Sequence, residues 1–107
     1  MPRNPLLAGL PPVHPGEILA EDVLPFLKKE HGITKAAFAA HLHMSRQALE
    51  NILKGRSAIT PSTALRLGKL LGNGPDIWLR MQTGYDLEMA EAALAKELEA
   101  TPLLTAA

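Results

Sequence analysis

The sequence predicts an all-α fold, and the strongest evidence for it lies in the central segment 34–55. Apolar residues recur there at helical spacing in two short runs, Phe38 with Leu42 and then Leu49 with Leu53. A residue with a side-chain hydroxyl precedes each run, and such residues accept hydrogen bonds from the free N–H groups of a first helical turn. We therefore expect two short helices joined by a tight turn.

The two central helices have predictable ends. Thr34 should cap a first helix that runs to about His41, and Ser45 should cap a second helix over residues 46–54. Gly55 follows the second helix and suits the left-handed conformation that commonly terminates a helix. This arrangement is that of a helix-turn-helix.

The composition limits the protein to one modest domain. Its 107 residues, 47% of them hydrophobic, suffice for a single core. Cysteine is absent, which excludes disulfides and thiolate metal sites. No apolar run approaches the roughly 18 residues of a membrane span, and the first residues lack the continuous apolar core of a signal peptide. We expect a soluble, cytoplasmic protein with no membrane partner.

The segments before the central motif begin with a proline-rich stretch. Four prolines among residues 1–13 prevent a helix, so this stretch should be an extended or disordered arm. A helix should begin at Pro15, since proline suits the first helical position. It should end or kink near Leu24, because Pro25 cannot donate a hydrogen bond to the carbonyl of Glu21. A short second helical piece should follow.

Two further helices should follow the central motif. Thr60 and Pro61 begin one that runs to about Leu71. Its inward-facing residues should be Ala64, Leu65, Leu67, Gly68 and Leu71. The last helix should start at Pro75 and Asp76 and reach about Glu99, leaving residues 100–107 as a loose tail. Residues 14–99 would then form one domain.

The last helix is longer than a core of this size requires. Apolar residues lie on more than one side of it, which favours a homodimer over a helix that wraps only its own domain. The predicted dimer interface consists of Met81, Tyr85, Met89 and Leu94.

Polar side chains at the start of the second central helix point to DNA binding. Arginine pairs with guanine and glutamine or asparagine with adenine, and a helix-turn-helix lays this helix in the major groove. The predicted base contacts are Arg46, Gln47 and Asn51, and the predicted DNA backbone contacts are Lys35, Ser45, Lys54 and Arg56. The formal net charge of the chain is zero, yet residues 35–80 carry a net charge of +5. This positive charge surrounds the predicted DNA-binding helix and would favour phosphate binding. A plain helical bundle with a solvated polar face is the alternative.

The histidines and serines do not indicate catalysis or metal binding. His41 and His43 form an H-x-H on a helix-to-turn segment, where their side chains should diverge. No glycine-rich elbow surrounds a serine, and no phosphate loop or dinucleotide fingerprint is present. We expect neither an enzyme nor a cofactor.

Four segments together resemble the HigA-type antitoxin family, also labelled VapI-like, within the lambda-repressor-like (XRE) helix-turn-helix group. They are HPGEIL at 14–19, MSRQALENILKGRSAIT at 44–60, PSTALRLGKLLG at 61–72 and PDIWLRMQTGYDLEMA at 75–90. The resemblance departs from the family at the turn, where His43 stands in place of the usual glycine.

The resemblance implies a five-helix lambda-repressor-like domain with a C-terminal dimerisation helix. It also implies repression of its own operon through operator DNA and neutralisation of a HigB-type toxin, a RelE-like mRNA-cleaving enzyme. The toxin could contact the arm or the first helix, where Glu17, Glu21 and Asp22 would meet a basic protein. Two alternatives remain: a helix-turn-helix repressor without a toxin, and a protein-binding module that lacks DNA affinity.

Overall fold

The computed structural model describes residues 12–105, and every regular element among them is a helix. The all-α prediction is confirmed. The first helix, α1, is continuous and consists of three segments, Pro15–Ile18, Leu19–Val23 and Leu24–His31. The other five are α2 (Lys35–His41), α3 (Arg46–Leu53), α4 (Pro61–Leu71), α5 (Asp76–Ala93) and α6 (Ala95–Ala100). All but the last two residues of the predicted arm, and the end of the predicted tail, lie outside the described residues.

The helix caps predicted from the sequence are confirmed. The side-chain oxygens of Thr34, Ser45 and Thr60 each accept a hydrogen bond from the backbone N–H three residues later, at 3.1, 3.0 and 3.3 Å. These bonds satisfy N–H groups that have no partner within the helix. The starts of α2, α3 and α4 are therefore fixed by local chemistry.

The first helix does not end near Leu24, one of the two outcomes expected there, but the predicted second helical piece is present as the segment Leu24–His31. The chain passes through Pro25 and remains helical to His31, because the segment Leu19–Val23 is π-helical. The N–H of Leu24 donates to the carbonyl of Leu19, five residues back. This wider turn moves the backbone away from the geometry in which the proline ring would clash with a carbonyl.

The C-terminal helix also differs from the prediction of one helix reaching Glu99. α5 ends at Ala93 and α6 begins at Ala95, because Leu94 has a non-helical ψ of 11°. The carbonyl of Leu94 still accepts from the N–H of Leu98 at 2.8 Å, so helical bonding resumes at once.

The hydrophobic core lies where α1 to α5 meet. Its most completely buried side chains are Leu19, Phe38, Leu42, Leu49, Ile59 and Leu67. Leu65, which we expected to face inward, is 62% exposed. One helical residue turns the side chain by about 100°, and the buried positions of α4 are Ala64, Leu67 and Gly68, so Leu65 faces solvent.

A glycine allows α1 to pack directly on the backbone of α3. A Cβ atom at Gly16 would lie 1.8 Å from the carbonyl oxygen of Ile52. No side chain fits in that space, so only glycine permits this approach. The N-terminus of α1 is thereby held against the C-terminal half of α3.

His14 caps α1 at the same junction and is itself buried. Its Nδ1 accepts a hydrogen bond from the N–H of Gly16 at 2.9 Å, and its ring packs edge-on against Tyr85 at 5.0 Å. The ring also hydrogen-bonds the backbone of Ser57. Burial lowers the pKa of His14 and outweighs the opposing effects of Asp86, the Ser57 hydrogen bond and Glu17. The cap therefore requires a neutral imidazole.

Replacing Gly16 by alanine should destabilise the protein by about 1–3 kcal/mol, because the added methyl group has to push α1 away from α3. Gly84→Ala is the matched control, since a Cβ there meets nothing within 4 Å, and alanine is favoured over glycine in helices by roughly 1 kcal/mol. Denaturant unfolding measures both. A Gly16→Ala protein as stable as the parent would contradict this packing.

Acidification should lower the free energy of unfolding through His14. The lowered pKa means that the unfolded chain binds the proton more readily. Stability is therefore complete above about pH 6.5, the ordinary histidine pKa, and is lost as the pH falls below it. His14→Asn keeps an N-cap acceptor but does not titrate. Between about pH 7.5 and 5, the melting temperature should fall less in this variant than in the parent. Equal falls in the two proteins would refute the assignment to His14.

Candidate nucleic-acid interface

The turn between α2 and α3 is tight and is closed by backbone hydrogen bonds. The N–H of His43 donates to the carbonyl of Ala40 at 3.0 Å, and that of Met44 to Ala39 at 3.1 Å. Within residues 12–105, His43 is the one non-glycine residue with a positive φ, 55°. A histidine thus adopts a left-handed conformation that glycine takes up much more readily.

The three predicted base-contacting residues all lie on α3. Arg46 and Gln47 are exposed at its first turn, and Asn51 is half-buried one turn later. The Nε2 atom of Gln47 donates to Oδ1 of Asn51 at 3.0 Å, as the i, i+4 spacing allows. The opposite face of α3 is buried through Leu49, Ile52 and Leu53. The helix therefore presents an edge of amide and guanidinium groups to solvent.

The four predicted backbone-contacting residues surround this edge. Lys35 begins α2, Ser45 caps α3, and Lys54 and Arg56 follow its last turn. All four are exposed. The hydroxyl of Ser45 accepts from a backbone N–H, which leaves its own proton available to an external acceptor.

An ion-pair network that the sequence analysis missed connects two of these lysines. Nζ of Lys35 lies 2.7 Å from Oε1 of Glu50, and Nζ of Lys54 lies 3.5 Å from Oε2. The hydrogen bond from Lys35, followed by the charge of the same lysine and the contact with Lys54, lowers the pKa of Glu50 despite partial desolvation. The pairing of Glu50 with Lys54 could have been predicted from their i, i+4 spacing on a helix. The pairing of Glu50 with Lys35 could not, because the two residues are 15 positions apart in the sequence.

A buried glutamine, also missed, fixes the loop that follows α3. Oε1 of Gln82 accepts from the N–H of Ile59 at 2.8 Å, and its Nε2 donates to Asp86 at 3.0 Å. On the other side of α3, Arg66 donates to the carbonyl of Leu42 at 3.3 Å. A polar residue at a core-facing position of a helix was the available sequence signal.

The four residues predicted to form the dimer interface differ in their solvent exposure in the single chain. Met81 packs against the core and Tyr85 contacts His14, so both are partly covered by their own domain. Met89 and Leu94 are 48% and 44% exposed. Leu87 and Leu98 are 53% and 50% exposed, so exposed apolar side chains occur along both α5 and α6.

Residues 12–105 contain no group of three histidine or acidic side chains that could hold a metal ion. None of the described helices is long and apolar enough to cross a membrane.

This chain is similar to known proteins both in sequence and in structure. A family model described as helix-turn-helix matches residues 27–78. The chain is 44% identical over 82 residues to virulence-associated protein I of Dichelobacter nodosus, which covers 77% of this chain and 72% of that one. Among solved structures, antitoxin GraA in complex with its operator is 36% identical with a TM-score of 0.77, covering 99% and 100% of the two chains. Pseudomonas aeruginosa antitoxin HigA with the higBA promoter is 33% identical with a TM-score of 0.75, covering 88% and 99%.

Proposed function

The chain belongs to the HigA-type antitoxin family of helix-turn-helix proteins, and on that premise we propose that it binds operator DNA as a homodimer and represses its own operon. We further propose that it neutralises a HigB-type, RelE-like mRNA-cleaving toxin in the cytoplasm. The family is one of DNA-binding proteins and not of enzymes. Two similar solved structures are of antitoxins with operator or promoter DNA.

The observation that carries the DNA-binding proposal is the division of α3 into two faces. One face is buried in the core, and the other presents Arg46 and Gln47 at the N-terminal turn that enters the major groove in a helix-turn-helix. Arg46 suits guanine O6 and N7, and Gln47 with Asn51 suits adenine N6 and N7. The hydrogen bond between Gln47 and Asn51 leaves the Gln47 carbonyl oxygen free for a base.

The backbone contacts are proposed for Lys35, Ser45, Lys54 and Arg56. They flank the α3 edge on both sides, so they could hold phosphates and set the position of α3 in the groove. Residues 35–80 carry a net charge of +5 and residues 81–107 a net charge of −4, so the first of these segments is the one that DNA should attract.

The dimer is proposed to form through α5 and α6. Met89 and Leu94 would lie at its centre, with Met81 and Tyr85 at the edge next to the core. Residues 14–99 would then form the folded domain, with 1–13 as an arm and 100–107 as a tail. A two-fold dimer would present two α3 helices, and half-sites one turn apart need them about 34 Å apart.

The toxin is proposed to contact the acidic surface of α1. Glu17, Glu21 and Asp22 are exposed there, and toxins of this type are expected to be basic. Opposite charges on the two surfaces would speed association and determine orientation.

Removing the proposed base contacts should abolish operator selectivity. An Arg46→Ala, Gln47→Ala protein should bind the DNA upstream of its own gene at least about 30-fold more weakly, since each lost contact is worth about 1–3 kcal/mol. Binding to scrambled DNA should change less. Fluorescence anisotropy measures both, and Lys96→Ala, which removes one positive charge from α6, is the control. Affinity and selectivity equal to the parent would refute the assignment.

The toxin proposal predicts a stable complex with the product of an adjacent reading frame. Co-expression followed by purification of this chain should recover that product in equimolar amount. Reversing charge at Glu21 and Asp22 to lysine should weaken the complex, whereas the same change at Glu97 and Glu99 on α6 should not. Recovery of no neighbouring product would favour a repressor without a toxin. Equal recovery with both variants would remove α1 from the proposal.

A further inference from the structure

One acidic side chain lies among the basic groups that surround the α3 edge. Residues 35–80 contain seven lysines and arginines and two acidic residues, Glu50 and Asp76. Asp76 begins α5, whereas Glu50 lies in the middle of α3. Glu50 is thus the carboxylate that DNA lying along α3 would meet.

Each oxygen of Glu50 holds one of the two flanking lysines. Lys35 approaches Oε1 from the start of α2, and Lys54 approaches Oε2 from the end of α3. The lysine side chains are 46% and 55% exposed and Glu50 is 29% exposed. The network is therefore open to solvent on the surface where both lysines would meet phosphates.

The core, and not this network, holds α2 against α3. Phe38 of α2, Leu42 directly after α2, and Leu49 of α3 are at most 1% exposed. Exposed ion pairs generally contribute little to folding. A structural brace is therefore not the main consequence of placing a carboxylate here.

We propose that Glu50 sets the sequence selectivity of DNA binding by withholding Lys35 and Lys54 from phosphates. This inference rests on the proposed function of α3 as the DNA-reading helix. A phosphate that engages either lysine has to displace the carboxylate or lie beside it. The resulting penalty is smaller on a duplex whose bases give the displaced carboxylate another partner, and this difference between duplexes is what adds to selectivity.

The chemistry of the carboxylate strengthens this discrimination. A carboxylate accepts hydrogen bonds and cannot bond a phosphate oxygen, but it can accept from the N4 amino group of cytosine in the major groove. An operator with cytosine opposite Glu50 would free the lysines for phosphates. Duplexes without it would leave Glu50 paired with the lysines or unsatisfied.

The test compares the full-length parent with Glu50→Gln on two duplexes of equal length, the DNA upstream of its gene and a scrambled version. Affinities are measured across salt concentrations. Glu50→Gln should bind the scrambled duplex about tenfold more tightly at low salt. The slope of log affinity against log salt should steepen by about 1–2, since each additional phosphate contact contributes roughly 0.9. Operator affinity should rise less, so the selectivity ratio falls.

Two controls separate this effect from a change in overall charge. Glu99→Gln removes the same charge from α6 and should leave the slope unchanged. In the double variant Lys35→Gln, Glu50→Gln, about half of the steepening of the salt slope caused by Glu50→Gln should disappear. Circular dichroism and thermal unfolding show that each variant is folded.

Three results would overturn the proposal. One is an unchanged slope and affinity for scrambled DNA in Glu50→Gln, and another is no binding of this variant to any duplex. The third is equal weakening on both duplexes, which would make Glu50 a positioning residue for the lysines. A parent protein that does not prefer its own upstream DNA would count against the proposed function instead, because the scrambled-duplex slopes test Glu50 without that preference.

Discussion

The contact between Gly16 and the Ile52 carbonyl is the constraint on which the position of α3 depends. It brings the backbones of α1 and α3 together without an intervening side chain. His14 caps α1 at this junction and continues the contact to Ser57, in the loop after α3, and to Tyr85 of α5. One short stretch before α1 thus connects α3, the proposed reading helix, to the C-terminal helix that is proposed to form the dimer.

The two ends of α3 are held by different means. At its start, the Ser45 cap and the bond from Arg66 to the Leu42 carbonyl fix the turn. Beyond its end, Gln82 holds the loop at Ile59. Because these bonds and the buried face of α3 restrain the helix, the side chains on its outer edge project from a rigid support. Such rigidity reduces the conformational entropy lost on binding.

Features determined by neighbouring residues were predictable from the sequence, and those determined by distant contacts were not. The caps at Thr34, Ser45 and Thr60 follow from a hydroxyl and the next three residues. The π-helical turn before Pro25 and the exposure of Leu65 depend on how α1 and α4 pack. The pairing of Lys35 with Glu50 requires the turn to bring α2 and α3 together. The identities of the base-contacting residues stay predictions.

The central claim is that α3 helices from two subunits lie in successive major grooves of the operator. Methylation interference on the upstream DNA tests it most directly, because guanine N7 lies in the major groove and adenine N3 in the minor groove. The account predicts that methylated guanine N7 blocks binding in two patches whose centres are about 10 base pairs apart. Interference confined to adenine N3, or a single patch, would contradict it.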